Sequence, residues 1–170
     1  MPNVQDAAQC ILSQNFLPTL KDHLLGRING TQNEDFTDRD RQQLMIHNNR
    51  LFCHKTLQIN FTTYDCRQDQ DAINVGTHSD VMVLADQDKD PENKHPYWYA
   101  RVIGIFHAMV QQVRLGSSTS HEHMDFLWVR WYGLDVRAQS GFKARQLHQV
   151  RFLDSNDLGA FGFINPQDLI

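Results

Sequence analysis

The sequence predicts a mainly β, α+β chain, a partly closed antiparallel β-barrel with an N-terminal helical arm. Three observations carry that prediction. First, two runs, Tyr97-Trp98-Tyr99-Ala100-Arg101-Val102-Ile103-Gly104-Ile105-Phe106 and Phe126-Leu127-Trp128-Val129-Arg130-Trp131-Tyr132, are dense in aromatic and β-branched residues, which suit a pleated surface. The gap between them holds Gly116-Ser117-Ser118-Thr119-Ser120, the composition of a flexible loop, so the runs are expected to pair as neighbouring strands. Second, from Arg50 onward the pattern has a period of two. Third, many short strands follow one another without alternating helices, which favours an antiparallel, partly closed sheet over parallel βαβ units.

The elements follow in order. From Asp6 to Ile28, Ala7, Ile11 and Leu12 recur at helical spacing, Pro18 interrupts, and Leu20, Leu24, Leu25 and Ile28 resume. Proline lacks the amide donor, so this is two helices or one kinked helix. Residues 29–35 are polar and turn-like, which divides the chain into an arm and linker over 1–35 and a barrel domain over 36–170. Thr37 with Asp40 three residues on forms an imperfect capping box for a short helix that Leu44, Met45 and Ile46 would close.

Leu51, Cys53, Lys55, Leu57, Ile59 and Phe61 then alternate with Phe52, His54, Thr56, Gln58, Asn60 and Thr62, giving one long strand or a strand pair. The polar stretch from Tyr64 to Asp71 reads as a turn or one helical turn, and residues 73–80 lead into a strand at Val81-Met82-Val83-Leu84. Asp86 to Lys94 is an acidic loop, Leu134 to Ser140 another loop, Gln146 to Leu153 a strand, and the end from Asn165 a last turn. Alternation places Phe126, Trp128, Arg130 and Tyr132 on one face of their strand and Leu127, Val129 and Trp131 on the other, with the Leu127/Val129 face as core. For the Tyr97 strand either face could be the buried one.

Composition bounds the function. With 170 residues and 41% hydrophobic content the chain can bury a substantial core. A net charge of -4 argues against a uniformly basic nucleic-acid binder. The charge is uneven, however: residues 65–96 hold eight acids and three bases, and residues 97–153 hold seven bases and three acids. Three cysteines, Cys10, Cys53 and Cys66, leave one unpaired and none lies in a Cys-x-x-Cys pair, which points to a reducing compartment. With neither a signal peptide nor a membrane-length apolar run, a soluble intracellular setting is expected.

The order Thr77-His78-Ser79-Asp80-Val81-Met82-Val83-Leu84, then an acidic loop, the Tyr97 run and Leu127-Trp128-Val129-Arg130-Trp131-Tyr132 resembles the bromo-adjacent homology domain, over roughly Val75 to Ile170. Leu20 to Arg27, Phe61 to Asp65, His95 to Phe106 and Phe161 to Pro166 are similar to the C-terminal region of fungal proteins related to Plavaka-type DNA transposases. These resemblances imply a nuclear setting and a non-catalytic chromatin or nucleoprotein interaction module of transposon-related origin, with a histone tail, another chromatin protein or DNA as partner. Some family members hold methylated lysine in an aromatic cage through cation–π attraction. Trp98 matches the first cage position and Trp131 the tryptophan of the Val-x-Trp strand; Gly133 stands where the third aromatic belongs, so Tyr97 or Tyr132 would have to substitute. The competing expectation is that the tryptophans simply fill the core.

Other constellations carry chemistry of their own. Arg101, Arg130, Lys143, Arg145 and Arg151 would give salt-dependent phosphate contacts if they shared a surface. Asp65, Asp69, Asp71 and Asp80 could bind Mg²⁺ in a nuclease-like turn. Cys53 and His54 are adjacent strand residues on opposite faces, which prevents direct pairing as nucleophile and base. His121-Glu122-His123 could offer two imidazoles, but no distant ligand is indicated and a solvated loop is expected. The reading from sequence is therefore a protein without enzymatic activity, cofactor or metal, with direct DNA binding and a metal-dependent nuclease as its alternatives.

Overall fold

The structure, a computed structural model, describes residues 15–31, 36–62, 64, 65, 67–85, 96–113, 120–135 and 149–170. It comprises helices α1 (Phe16–Asn29) and α2 (Asp38–Gln43) and strands β1 (Leu44–Ile46), β2 (Phe52–His54), β3 (Thr56–Thr62), β4 (Gln68–Asn74), β5 (Asp80–Leu84), β6 (Tyr97–Gln112), β7 (Glu122–Leu134), β8 (Val150–Phe152) and β9 (Phe161–Ile164). Short 3₁₀ turns lie at His47–Asn49 and Pro166–Asp168. No helix among the described residues is long and apolar enough to cross a membrane.

The two aromatic runs form the central antiparallel pair, β6 with β7, as their composition predicts. Both strands extend beyond the aromatic runs, to 16 and 13 residues. The other edge of β6 is long enough to carry β5, β2 and β1 in turn, and the other edge of β7 carries β9 and β8. The result is a mixed α/β fold on an open, seven-stranded sheet.

The expected barrel is therefore corrected: among the described residues the outer edges do not join in a ladder. The C-terminal segment links to β5 through one isolated bridge, Val83 with Leu169, and through the Ile170 amide, which donates to the Met82 carbonyl at 3.1 Å. The physical reason is that both faces of the sheet are already covered, so it has no need to curl on itself. On one face α1 packs Phe16, Leu20, Leu24 and Leu25 against Phe106, Ala108, Val110, Met124, Phe126 and Trp128. On the other, the two-stranded β3–β4 ribbon and the C-terminal segment bring Leu57, Ile59, Ile73, Ile164 and Leu169 against Ala100, Val102, Ile105, Leu127 and Val129.

A β-bulge explains why the alternation in β6 gives no single buried face. Val102 pairs with Val129, yet Gly104 pairs with Trp128, so β6 carries one extra residue at Ile103. Before it the even-numbered Ala100 and Val102 face the ribbon; after it the odd-numbered Ile105 does, and the even-numbered Phe106, Ala108 and Val110 turn to the helix. Gly104 is required there, because a Cβ would stand 2.8 Å from Cζ of the Phe106 ring.

Local chemistry sets the remaining boundaries. Phe16, Leu20 and Leu24 recur every four residues and form the buried stripe of α1. Fully burying a leucine contributes about 1.5–3 kcal/mol, so the three fully buried leucines make this helix part of the core. Pro18 lies in the first turn, where its missing amide costs no helical hydrogen bond. The helix ends at Gly30, whose φ of 69° suits glycine, with the Thr31 amide donating to the Gly26 carbonyl at 2.9 Å. Residues 1–14, with the first half of the expected helical arm, lie outside the described residues.

Thr37 and Asp40 form a complete capping box at the start of α2. Two further expectations need correction. Leu44–Ile46 does not close α2 but forms β1 on the edge of β6, with Leu44 opposite Gln112, Met45 opposite Gln111 and Ile46 opposite Val110. The polar stretch read as a turn keeps its turn at Tyr64 and Asp65, while Gln68–Asn74 forms β4; its outward side chains are polar because the ribbon is exposed along much of its length.

Candidate metal centre

At the end of the sheet carrying β1 and β2, the ribbon-side face extends beyond the apolar core and becomes rich in histidine. Register builds it: Phe52 stands opposite His107, which stands opposite Asp125, and Met109 stands opposite His123. His54 lies two residues from Phe52 on β2, and His123 two residues from Asp125 on β7, so alternation sends all of them to this face. Three adjacent strands thus contribute His54, His107, His123 and Asp125.

A ligand atom from each of His107, His123 and Asp125 lies within 4.8 Å of the other two. The His107 and His123 rings are 4.4 Å apart between centroids, and His123 Nδ1 is 3.7 Å from Asp125 Oδ2. His54 Nε2 meets His107 Nδ1 at 2.5 Å, an approach that leaves room for one proton between them. Phe52 stacks on the His107 ring at 4.7 Å and 9°.

These surroundings favour the neutral form of His107. Burial lowers its pKa, the neighbouring His123 and His54 lower it further, and Asp125 opposes them. A neutral imidazole has a lone pair to offer, the state a metal ion requires. With Nδ1 against His54, the nitrogen that His107 offers an ion is Nε2, and His54 sets its tautomer from outside, as outer partners of metal-bound histidines do. The backbone is held from the opposite side, since Arg27 of α1 donates through Nη1 to the Asp125 carbonyl at 2.5 Å.

Nitrogen and oxygen ligands bind zinc at about 2.0–2.2 Å, so they stand about 3.4 Å apart around a tetrahedral ion. The widest spacing of the present set exceeds that by about 1.4 Å, a contraction within reach of side chains on an open face. Two imidazoles and one carboxylate suit zinc, copper, nickel or iron(II) rather than magnesium or calcium, which prefer oxygen-only shells.

Apart from His123, the residues singled out by sequence lie elsewhere. Trp98 and Trp131 meet edge to face at 6.0 Å, packed against the ribbon-side core, and a Cβ at Gly162 would stand 2.6 Å from Trp131 Nε1. Tyr97 and Tyr132 belong by alternation to the opposite face, so the four cage candidates do not converge. Tyr132 instead stacks on Phe152 at 4.4 Å and donates its hydroxyl proton to Asp80 at 2.9 Å; burial and that bond push its pKa up to about 12.

Arg101 and Arg130 are directly opposed and share a face, but both are engaged. Arg101 makes two 2.8 Å bonds to Asp80, which hold that carboxyl below its ordinary pKa; Arg130 lies over the Phe152 ring at 4.5 Å. Arg151 pairs opposite Gly133 and so belongs to the other face, while Lys143 and Arg145 lie outside the described residues. Among the acids, Asp65 pairs with Arg67, Asp69 and Asp71 accept from the amides of Gln70 and Ala72, and Asp80 is taken by Arg101 and Tyr132. Cys53 is exposed and pairs opposite Phe106, on the face away from His54; Cys10 and Cys66 lie outside the described residues.

The sequence offers His121 and His123 as two imidazoles but expects them in a solvated loop with no distant ligand; His123 instead lies in β7, and His54 and His107, distant in sequence, meet it only through the register of three strands. His123-Met124-Asp125, with its ligand types two residues apart within a strand, is the local signal that points to the group. Comparison with family models, with curated proteins and with solved structures finds no match. The bromo-adjacent resemblance loses the barrel that it implied, and no matching family or structure ties the chain to chromatin, DNA or a transposon.

Proposed function

We propose that this protein is a transition-metal-binding module that holds a divalent ion of the zinc class through His107, His123 and Asp125. The observation that carries the reading is the convergence of their ligand atoms within 4.8 Å on one sheet face. Burial, followed by the neighbouring His123 and His54, favours the neutral His107 imidazole that binding needs. A cleft of about 940 Å³ lies elsewhere, lined in part by Ile59, Asp71, His78, Asp80, Tyr99 and Tyr132, and its lining includes none of the three ligands. This separation favours an ion that stabilises or reports, over metal-assisted chemistry on a substrate held in that cleft.

The test uses tag-free protein stripped with EDTA, with zinc or magnesium added. An ion present at a hundred times its Kd stabilises the folded state by about 2.7 kcal/mol. For a chain of this size that raises Tm by about 5–10 °C. Zinc should produce the rise, magnesium should not, and His107→Ala with His123→Ala should reduce it. An equal rise in the double variant, or none in the wild type, would overturn the proposal.

A further inference from the structure

The histidine face continues past the three ligands. His47, in the turn after β1, and His121, just before β7, come from opposite sides of β6, and their rings meet edge to face at 4.8 Å and 89°. Ile46 and Glu122 both pair with Val110, so the two histidines leave their strands at the same end of the sheet. Both are exposed. Adding His54, His107 and His123 puts five of the chain's nine histidines on this end.

The turn that presents His47 is an unusual one. Asn48 and Asn49 are consecutive non-glycine residues in the left-handed region, with φ of 54° and 51°, and they are the non-glycine residues with positive φ among those described. This conformation costs roughly 1–2 kcal/mol per residue for an ordinary L-residue and less for asparagine, whose side chain can bond locally. Such backbone outliers gather where a side chain must be aimed. Here the turn, closed by the Arg50 amide donating to the His47 carbonyl at 3.2 Å, carries His47 to its contact with His121.

We propose that His47 and His121 form a second transition-metal site, so that the histidine face takes two ions. The proposal rests on the reading of the His107 group as a metal centre. His121 and His123 are two residues apart along an extended chain, about 7 Å, so the ions would occupy neighbouring sites, each with its own imidazoles. Two imidazoles with water completing the shell again suit zinc, copper or nickel.

Native mass spectrometry of the tag-free, EDTA-stripped full chain titrated with zinc tests this. The expected result is two ions on the wild type, one on His47→Ala/His121→Ala, and one on His107→Ala/His123→Ala. His47, His121 and His123 are exposed and His107 is half-buried within β6, so circular dichroism of each variant checks that it is folded. One ion on the wild type, kept by His47→Ala/His121→Ala and lost from His107→Ala/His123→Ala, overturns the second site and leaves the first. One ion lost only from His47→Ala/His121→Ala upholds the second site and overturns the first. No ion on any form overturns both.

Discussion

Acid should destabilise this fold through His23, a residue remote from the proposed metal face. His23 lies on the helix that covers one face of the sheet; its Nε2 is shut from solvent and has no hydrogen-bond partner among the described residues. Burial, with a smaller contribution from the charge on Arg27, lowers its pKa from 6.5 to about 4. Between those values the folded chain keeps the imidazole neutral while the unfolded chain protonates it. The unfolded state then binds more protons, so stability is complete above about pH 6.5 and is lost as pH falls towards 4. At about 1.4 kcal/mol per pH unit the full loss is ~3 kcal/mol, or a Tm drop of about 6–12 °C for a chain of this length.

The assay is urea unfolding from about pH 7 to about pH 4.5, with EDTA present to remove any contribution from metal. His107, also lowered by burial and by His123 and His54, acts in the same direction. The contributions of Asp40 and Asp80, whose pKa values are depressed below 3.8, are lost only at lower pH. His23→Leu isolates the effect, because leucine cannot titrate. Its stability should fall much less across this window; a pH slope equal to that of the wild type would refute the reasoning.

Two further predictions concern the frame that supports the site. Gly104→Ala should cost about 1–3 kcal/mol, measured by urea unfolding, because the new methyl group meets the Phe106 ring at the bulge; an unchanged midpoint would mean that the ring moves aside freely. Thr37→Ala should cost about 1 kcal/mol by the same measurement, because it removes the cap of α2 and the side-chain bond to Asp40; a variant as stable as the wild type would show that α2 holds without its cap.

What can be read in advance is local. The β6–β7 pair follows from dense aromatic and β-branched residues, and the α2 cap follows from Thr37 and Asp40, residues three positions apart. What escapes depends on long-range geometry. One extra residue at Ile103 exchanges the faces of β6, and alternation alone gives no position for a bulge. The open sheet instead of a barrel follows from α1 and the β3–β4 ribbon covering both faces, which no single strand encodes. β4 reads as a turn because Gln68, Asp69, Gln70 and Asp71 are polar, as an exposed ribbon allows.

The histidine group shows the same limit. His54 is 53 residues from His107, and their nitrogens meet only because β2 and β7 flank β6 in a register that brings Phe52 and Asp125 to either side of His107. The aromatic residues most prominent in the sequence are instead used in packing: Trp98 against Trp131, and Tyr132 against Phe152.

X-ray absorption at the zinc edge tests the central claim most directly, on tag-free protein loaded with one equivalent of zinc and passed through a desalting column. The account predicts a retained ion with nitrogen and oxygen neighbours at about 2.0–2.2 Å and the outer-shell scattering of imidazole rings, both lost when His107→Ala/His123→Ala is made in the His47→Ala/His121→Ala background. Zinc washed from the wild type, or an unchanged spectrum in that variant, would contradict it.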